Sequence, residues 1–138
     1  MKRRPGFSIA LLLAACAAEP PAAEPANEIA QTPRSEMPPA LRGRWGASLA
    51  DCAAGRSATD SILDIAATEL RFHESRARLG TVVEHGPRRI VADFVYEGEG
   101  ETRTHREGFE LLDNGLLVRR DAGGAPRAEV FAYSRCEG

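Results

Sequence analysis

Between residues 68 and 133, apolar and polar side chains alternate with a period of two in one short run after another, and few architectures accept that pattern. In residues 68–74, Leu70 and Phe72 fall on one side while Glu69, Arg71 and His73 fall on the other. In residues 89–97, Ile90, Ala92, Phe94 and Tyr96 alternate with Arg89, Val91, Asp93 and Val95. Phe109 with Leu111, Leu116 with Val118, and Phe131 with Tyr133 continue the pattern. Successive side chains of a strand point to opposite faces, so each run offers one face to a core. Turn formers separate the runs: His85-Gly86-Pro87, the alternating Glu and Gly of residues 97–101, Asp113-Asn114-Gly115 and Ala122-Gly123-Gly124. Asn-Gly is a hairpin signal. The expectation is an all-β antiparallel meander of about six to eight strands, as a barrel or a sandwich. Residues 61–79 carry a competing pattern, a helix capped by Asp60 or Ser61, ended by Gly80, with Ile62, Ile65 and Leu70 on its face. The clean alternation around Leu70 favours two strands there.

The first residues follow a different logic. Lys2, Arg3 and Arg4 precede a short apolar core over residues 7–15, and Ala14-Ala15 offers a small-residue cleavage point. This is the layout of a signal peptide, and the core is well short of the roughly 20 residues a membrane-spanning helix needs. Leu13-Ala14-Ala15-Cys16 resembles the lipobox of bacterial lipoproteins. That resemblance implies cleavage before Cys16, acylation of this cysteine as the first mature residue, and anchoring by its three chains, since two chains already hold a protein on a bilayer. Ala17, rather than Asp, at the next position implies the outer membrane, with the chain facing the periplasm. Residues 16–39 hold Pro20, Pro21, Pro25, Pro33, Pro38 and Pro39 among alanines and glutamates, a composition expected to form a disordered tether. Residues 40–138 are then the folded domain, of ordinary single-domain size.

Loss of residues 1–15 removes three positive charges and takes the formal net charge from −2 to −5. An acidic chain without a basic face argues against nucleic-acid binding. Of three cysteines, Cys16 is assigned to lipid, which leaves Cys52 and Cys136. In an oxidising periplasm that pair is expected to form a disulfide closing the domain, and without a CxxC spacing it makes a poor metal signature or reactive thiol.

Gly43-Arg44-Trp45 resembles the G-x-W element of the first strand of lipocalins and related small barrels. The resemblance implies that Trp45 plugs one barrel end, with a basic residue of the last strand, here Arg135, packed across its indole. Gly43, Trp45 and Arg135 are thus read as structural.

Signatures of chemistry are sparse. No G-x-S-x-G, H-E-x-x-H or phosphate-binding glycine loop is present. His73, His85 and His105 lie in separate segments, so they read as solvated surface histidines, and no metal, cofactor or catalytic residue is assigned. An enzyme using the adjacent His73 and Glu74 is disfavoured because neighbours on a strand face opposite ways. Glu97, Glu99 and Glu101 read as a solvated hairpin loop. The candidate binding surface is Arg71, His73, Arg76 and Arg78, whose guanidinium forks suit a carboxylate or phosphate, against a solvated strand face balanced by Glu69 and Glu74. The expected function is non-catalytic binding of an envelope partner: a protein, a peptidoglycan fragment or a small ligand. The alternative is inhibition of a lysozyme or protease, an analogy of architecture.

Overall fold

The computed structural model describes residues 34–53 and 61–137. Cys16, the lipobox and most of the expected tether lie outside the described residues. Eight strands, β1 (Gly43–Gly46), β2 (Ile62–Ile65), β3 (Glu69–Arg71), β4 (Arg76–Gly86), β5 (Arg89–Gly98), β6 (Glu101–Leu111), β7 (Leu117–Asp121) and β8 (Val130–Arg135), pair in chain order. All pairings are antiparallel, and β8 returns to β1 to close a barrel. Closure rests on Trp45 opposite Arg135, Gly46 opposite Ser134, and the Cys136 amide donating to the Arg44 carbonyl at 2.9 Å. Residues 61–79 supply β2, β3 and the start of β4 rather than a helix.

Local chemistry explains the connections. Ser48 and Asp51 form a reciprocal cap on the short helix α1 (Leu49–Ala53). The Asp51 amide donates to Ser48 Oγ at 3.3 Å and the Ser48 amide donates to Asp51 Oδ2 at 2.8 Å. Between β5 and β6 only Glu99 and Gly100 turn the chain, with φ of 52° and 80°, the left-handed pair that a two-residue hairpin needs to match strand twist. Asn114-Gly115 does not act as such a turn. The Leu112 amide donates to the Leu116 carbonyl at 2.9 Å and the Gly115 amide to the Leu112 carbonyl at 3.0 Å, so Leu116 is held in the loop. This corrects the phase expected for β7: Leu117 is fully buried, while Leu116 and Val118 are half-buried.

The inward face carries Leu63, Leu70, Ala77, Ile90, Ala92, Phe94, Phe109, Leu117 and Tyr133, with the Phe94 and Phe109 rings packed edge to face at 5.4 Å. One barrel end is closed. A 3-10 turn (Pro39–Leu41) starts on a proline whose fixed φ suits that position, and it drops Leu41 into the core beside Met37. Met37 is fully buried and its amide donates to the Ala67 carbonyl at 2.6 Å, so the folded unit begins before residue 40. The expected tether boundary is corrected accordingly: an apolar side chain large enough to plug a small barrel repays ordering even between prolines.

Trp45 completes this plug. Its Nε1 donates to the Leu41 carbonyl at 2.8 Å, and the Arg135 guanidinium lies over the indole, 4.1 Å from the ring centroid. Arg135 also donates to the Ala40 and Arg42 carbonyls at 2.6 and 2.8 Å, tying the last strand to the plug. Gly43 has a φ of 118°, and a Cβ there would sit 3.0 Å from Arg135 Nη1, so glycine makes room for this cation. The disulfide Cys52–Cys136, with Cα atoms 5.2 Å apart, joins α1 to the residue after β8. Residues 54–60, between α1 and β2, lie outside the described residues.

Candidate functional site

With one end plugged, the β3–β4, β5–β6 and β7–β8 turns surround the other end. The inner wall changes character as it approaches them. Along β6 the buried Phe109 is followed inward-facing by Glu107, His105 and Arg103, which lie opposite Ala92, Phe94 and Tyr96 of β5. On β7 the buried Leu117 is followed by Arg119 and Asp121, and Arg119 lies opposite Phe131 of β8. The same period of two therefore carries charged groups onto the inside of the barrel.

The charged groups organise around Glu107, the buried charged residue of this wall. Arg119 grips its carboxylate with both arms of its fork, Nε to Oε2 and Nη2 to Oε1, each at 2.8 Å. The Tyr96 hydroxyl donates to Glu107 Oε1 at 2.8 Å and accepts from Arg119 Nη2 at 2.9 Å. Bidentate, charge-assisted geometry of this kind lets an ion pair survive partial burial. The Arg119 guanidinium is also flanked by aromatic rings, Phe72 at 4.8 Å and Phe131 at 5.4 Å. Burial, and then the negative charge of Glu107, push the Tyr96 hydroxyl well above the ordinary tyrosine value. Burial alone would weaken the Arg119 cation, but the hydrogen bonds and charge of Glu107 outweigh it and hold the guanidinium charged. These hydrogen bonds hold Tyr96, Glu107 and Arg119 in one geometry at the mouth.

Above this framework lies a half-open cavity of about 240 Å³, walled by Tyr96, Arg103, His105, Glu107, Arg119, Arg120, Asp121, Glu129 and Phe131. It adjoins a second hollow that shares Tyr96, Arg103 and Arg119 and is bordered by Phe72, His73 and Glu74 of the β3–β4 turn. Phe72 and Tyr96 stack across the floor, 6.0 Å apart.

Of the candidate surface residues read from the sequence, the fold keeps the three arginines together and parts His73 from them. Arg71, Arg76 and Arg78 sit side by side on the outer wall, with Arg71 opposite Arg76 and Glu69 opposite Arg78. Arg71 pairs with Glu69 and Arg78 with Glu97, so two of the three forks face a carboxylate of the same wall. The hydrogen bond and charge of Arg71 hold the Glu69 carboxyl below its usual range. His73 parts from them and stands in the β3–β4 turn at the rim of the mouth. The reading of all three histidines as surface groups needs correction at His85 alone, since His105 is exposed. His105 faces the mouth, edge-on to Tyr96 at 5.9 Å, and the half-buried His85 has Nε2 3.1 Å from the Glu36 carbonyl at the plug. Glu97, Glu99 and Glu101 bracket the β5–β6 turn.

Tyr96, Arg103, His105, Glu107, Arg119 and Phe131 form the site as a group only in three dimensions. A signal for them does exist in the sequence. Extending the alternation back from Phe109 and forward from Leu117 places Glu107, His105, Arg103 and Arg119 in phase with the buried stripe. Charged residues in register with a core face are expensive unless they serve one another or a ligand.

Among the described residues no helix is long and apolar enough to cross a membrane. Comparison with protein-family models, with curated protein sequences and with solved structures gives no match.

Proposed function

We propose that this chain is a lipid-anchored, non-catalytic binding protein of the bacterial outer membrane, whose periplasmic barrel takes a small polar ligand into its open mouth. The observation that carries the reading is the half-open cavity of about 240 Å³, with charged and aromatic side chains converging on it from four strands and a turn. A small concave site with a few oriented polar groups is what recognition of a small molecule requires. The Glu107–Arg119–Tyr96 framework supports the reading because it holds its side chains in one geometry before any ligand arrives, which lowers the ordering cost of binding. Anchoring rests on the lipobox at Cys16.

Two measurements test the two halves of the proposal. Fatty-acid labelling should mark the wild-type protein, and Cys16→Ser should abolish the label and release the protein from the membrane fraction. For the barrel, amide and side-chain NMR shifts should be followed while a library of small carboxylates, amines, sugars and zwitterions is added. Shifts confined to Arg103, His105, Arg119 and Phe131 are the expected outcome. A protein that ignores the whole library but blocks a lysozyme or protease would instead be an inhibitor.

A further inference from the structure

The groups at the mouth are not all committed to one another. Arg119 is held by Glu107 and Arg120 by Glu110. Arg103 makes no side-chain hydrogen bond or ion pair among the described residues, although three adjoining hollows open onto it. Across the cavity stand two carboxylates. Asp121, at the end of β7, accepts the Gly123 amide at 2.9 Å, and Glu129, just before β8, has no ion pair among the described residues. The cavity wall therefore has two poles, a guanidinium on the β6 side and a carboxylate pair on the β7–β8 side, and it also carries the Phe131 ring.

Each pole repels what the other attracts. A simple anion meeting Arg103 would face Asp121 and Glu129, and a simple cation meeting those carboxylates would face Arg103. A ligand that carries both charges satisfies both poles. The cavity volume, about 240 Å³, lies just below the range of pockets that hold drug-sized ligands, which suits a smaller molecule. Phe131, 42% exposed although it faces inward, offers an apolar surface for the remainder of such a ligand.

From this arrangement we infer that the mouth is a zwitterion site of the amino-acid type. The ligand carboxylate lies on the Arg103 fork, the ammonium lies between Asp121 and Glu129, and an apolar side chain lies on Phe131. The assignment rests on the mouth being a ligand site, and it adds the chemical class of that ligand.

The test uses the purified full-length chain in detergent and four probes: phenylalanine, alanine, 3-phenylpropionate, which lacks the ammonium, and phenethylamine, which lacks the carboxylate. Calorimetry should show phenylalanine binding most tightly, with each half-charged analogue weaker by about tenfold or more, the scale of one charge-assisted hydrogen bond. Alanine, without a ring for Phe131, should fall between. Arg103→Gln should weaken phenylalanine and 3-phenylpropionate and, with the repelling cation gone, leave phenethylamine as tight or tighter, while Asp121→Asn with Glu129→Gln should weaken phenylalanine and phenethylamine and leave 3-phenylpropionate as tight or tighter. Arg88→Gln, the same charge change at the plugged end, should alter nothing. These positions are solvent-accessible, and unchanged thermal midpoints would show that the variants fold. If 3-phenylpropionate or phenethylamine binds as tightly as phenylalanine, the zwitterion assignment is overturned while the mouth remains a ligand site. If none of the four moves the mouth resonances, the assignment also falls, and the wider library then decides whether the mouth binds anything.

Discussion

Replacing Glu107 by alanine removes the acceptor of three hydrogen bonds, two from Arg119 and one from Tyr96. The Arg119 side chain is 17% exposed, so its cation would be left largely out of water without a counter-charge. Removing one partner of a buried pair costs about 3–5 kcal/mol. Two features of the mouth pull the value to the low end. The rings of Phe72 and Phe131 still flank the guanidinium and contribute about 0.5–1 kcal/mol each at partly exposed sites. The cavity is also open on one side, so water can enter the space that the carboxylate leaves. The expected loss is about 3 kcal/mol, a large share of the roughly 5–15 kcal/mol that holds a domain of this size together. At about 4–8 °C per kcal/mol, the thermal midpoint should fall by about 12–24 °C. Urea unfolding should show the same loss with an unchanged slope against denaturant. The triple change Glu107→Leu, Arg119→Met and Tyr96→Phe removes every member of the network together and leaves no polar group stranded, so it should be more stable than Glu107→Ala alone. A single variant that loses less than about 1 kcal/mol, or a triple variant less stable than the single one, would refute the account of the network as mutually dependent.

The Cys52–Cys136 bond closes a loop of 84 residues, for which chain entropy gives roughly 4–5 kcal/mol. Reduction, or Cys52→Ser with Cys136→Ser, should lower the midpoint by at least ten or so degrees, and unreduced peptide maps should show the two fragments joined. Tyr96 gives the alkaline behaviour its sign. Its folded value is raised, so the folded state keeps the phenolic proton at a pH where an unfolded tyrosine, with a value near 10, has lost it. Stability from this source is fully present below about pH 10 and declines as pH rises above it. Denaturant midpoints across that range should decline less in Tyr96→Phe, and equal slopes in the two proteins would count against the buried phenol. Gly43→Ala forces a side chain into a φ of 118° with its Cβ 3.0 Å from Arg135. It should cost about 1–3 kcal/mol and raise the exposure of Trp45 to fluorescence quenchers, a change that the exposed Gly124→Ala should not produce at Trp45.

Sequence and tertiary structure contributed different parts of this molecule. The alternation of Ile90, Ala92, Phe94 and Tyr96 is a local property, because each residue's face is set by its neighbours on the same strand. For that reason the all-β class, the antiparallel meander and the inward stripes of β5 and β8 could be read directly from the order of residues. The pairing of Cys52 with Cys136 was legible for a different reason, since the count of cysteines left one natural partner for each. Where a turn decides the phase, local reading slips. The loop holding Leu116 moves β7 by one residue and brings Leu117 inward, because strand register is inherited from turn geometry. Closure as a barrel rather than a sandwich depends on Trp45 meeting Arg135, 90 residues apart in the chain, and no local pattern encodes such a meeting. Met37 became a plug through the same kind of distant contact, with Ala67. The mouth is the extreme case. Glu107, Arg119 and Tyr96 look like ordinary polar positions until the barrel closes, takes them out of water together and makes each the partner the others need.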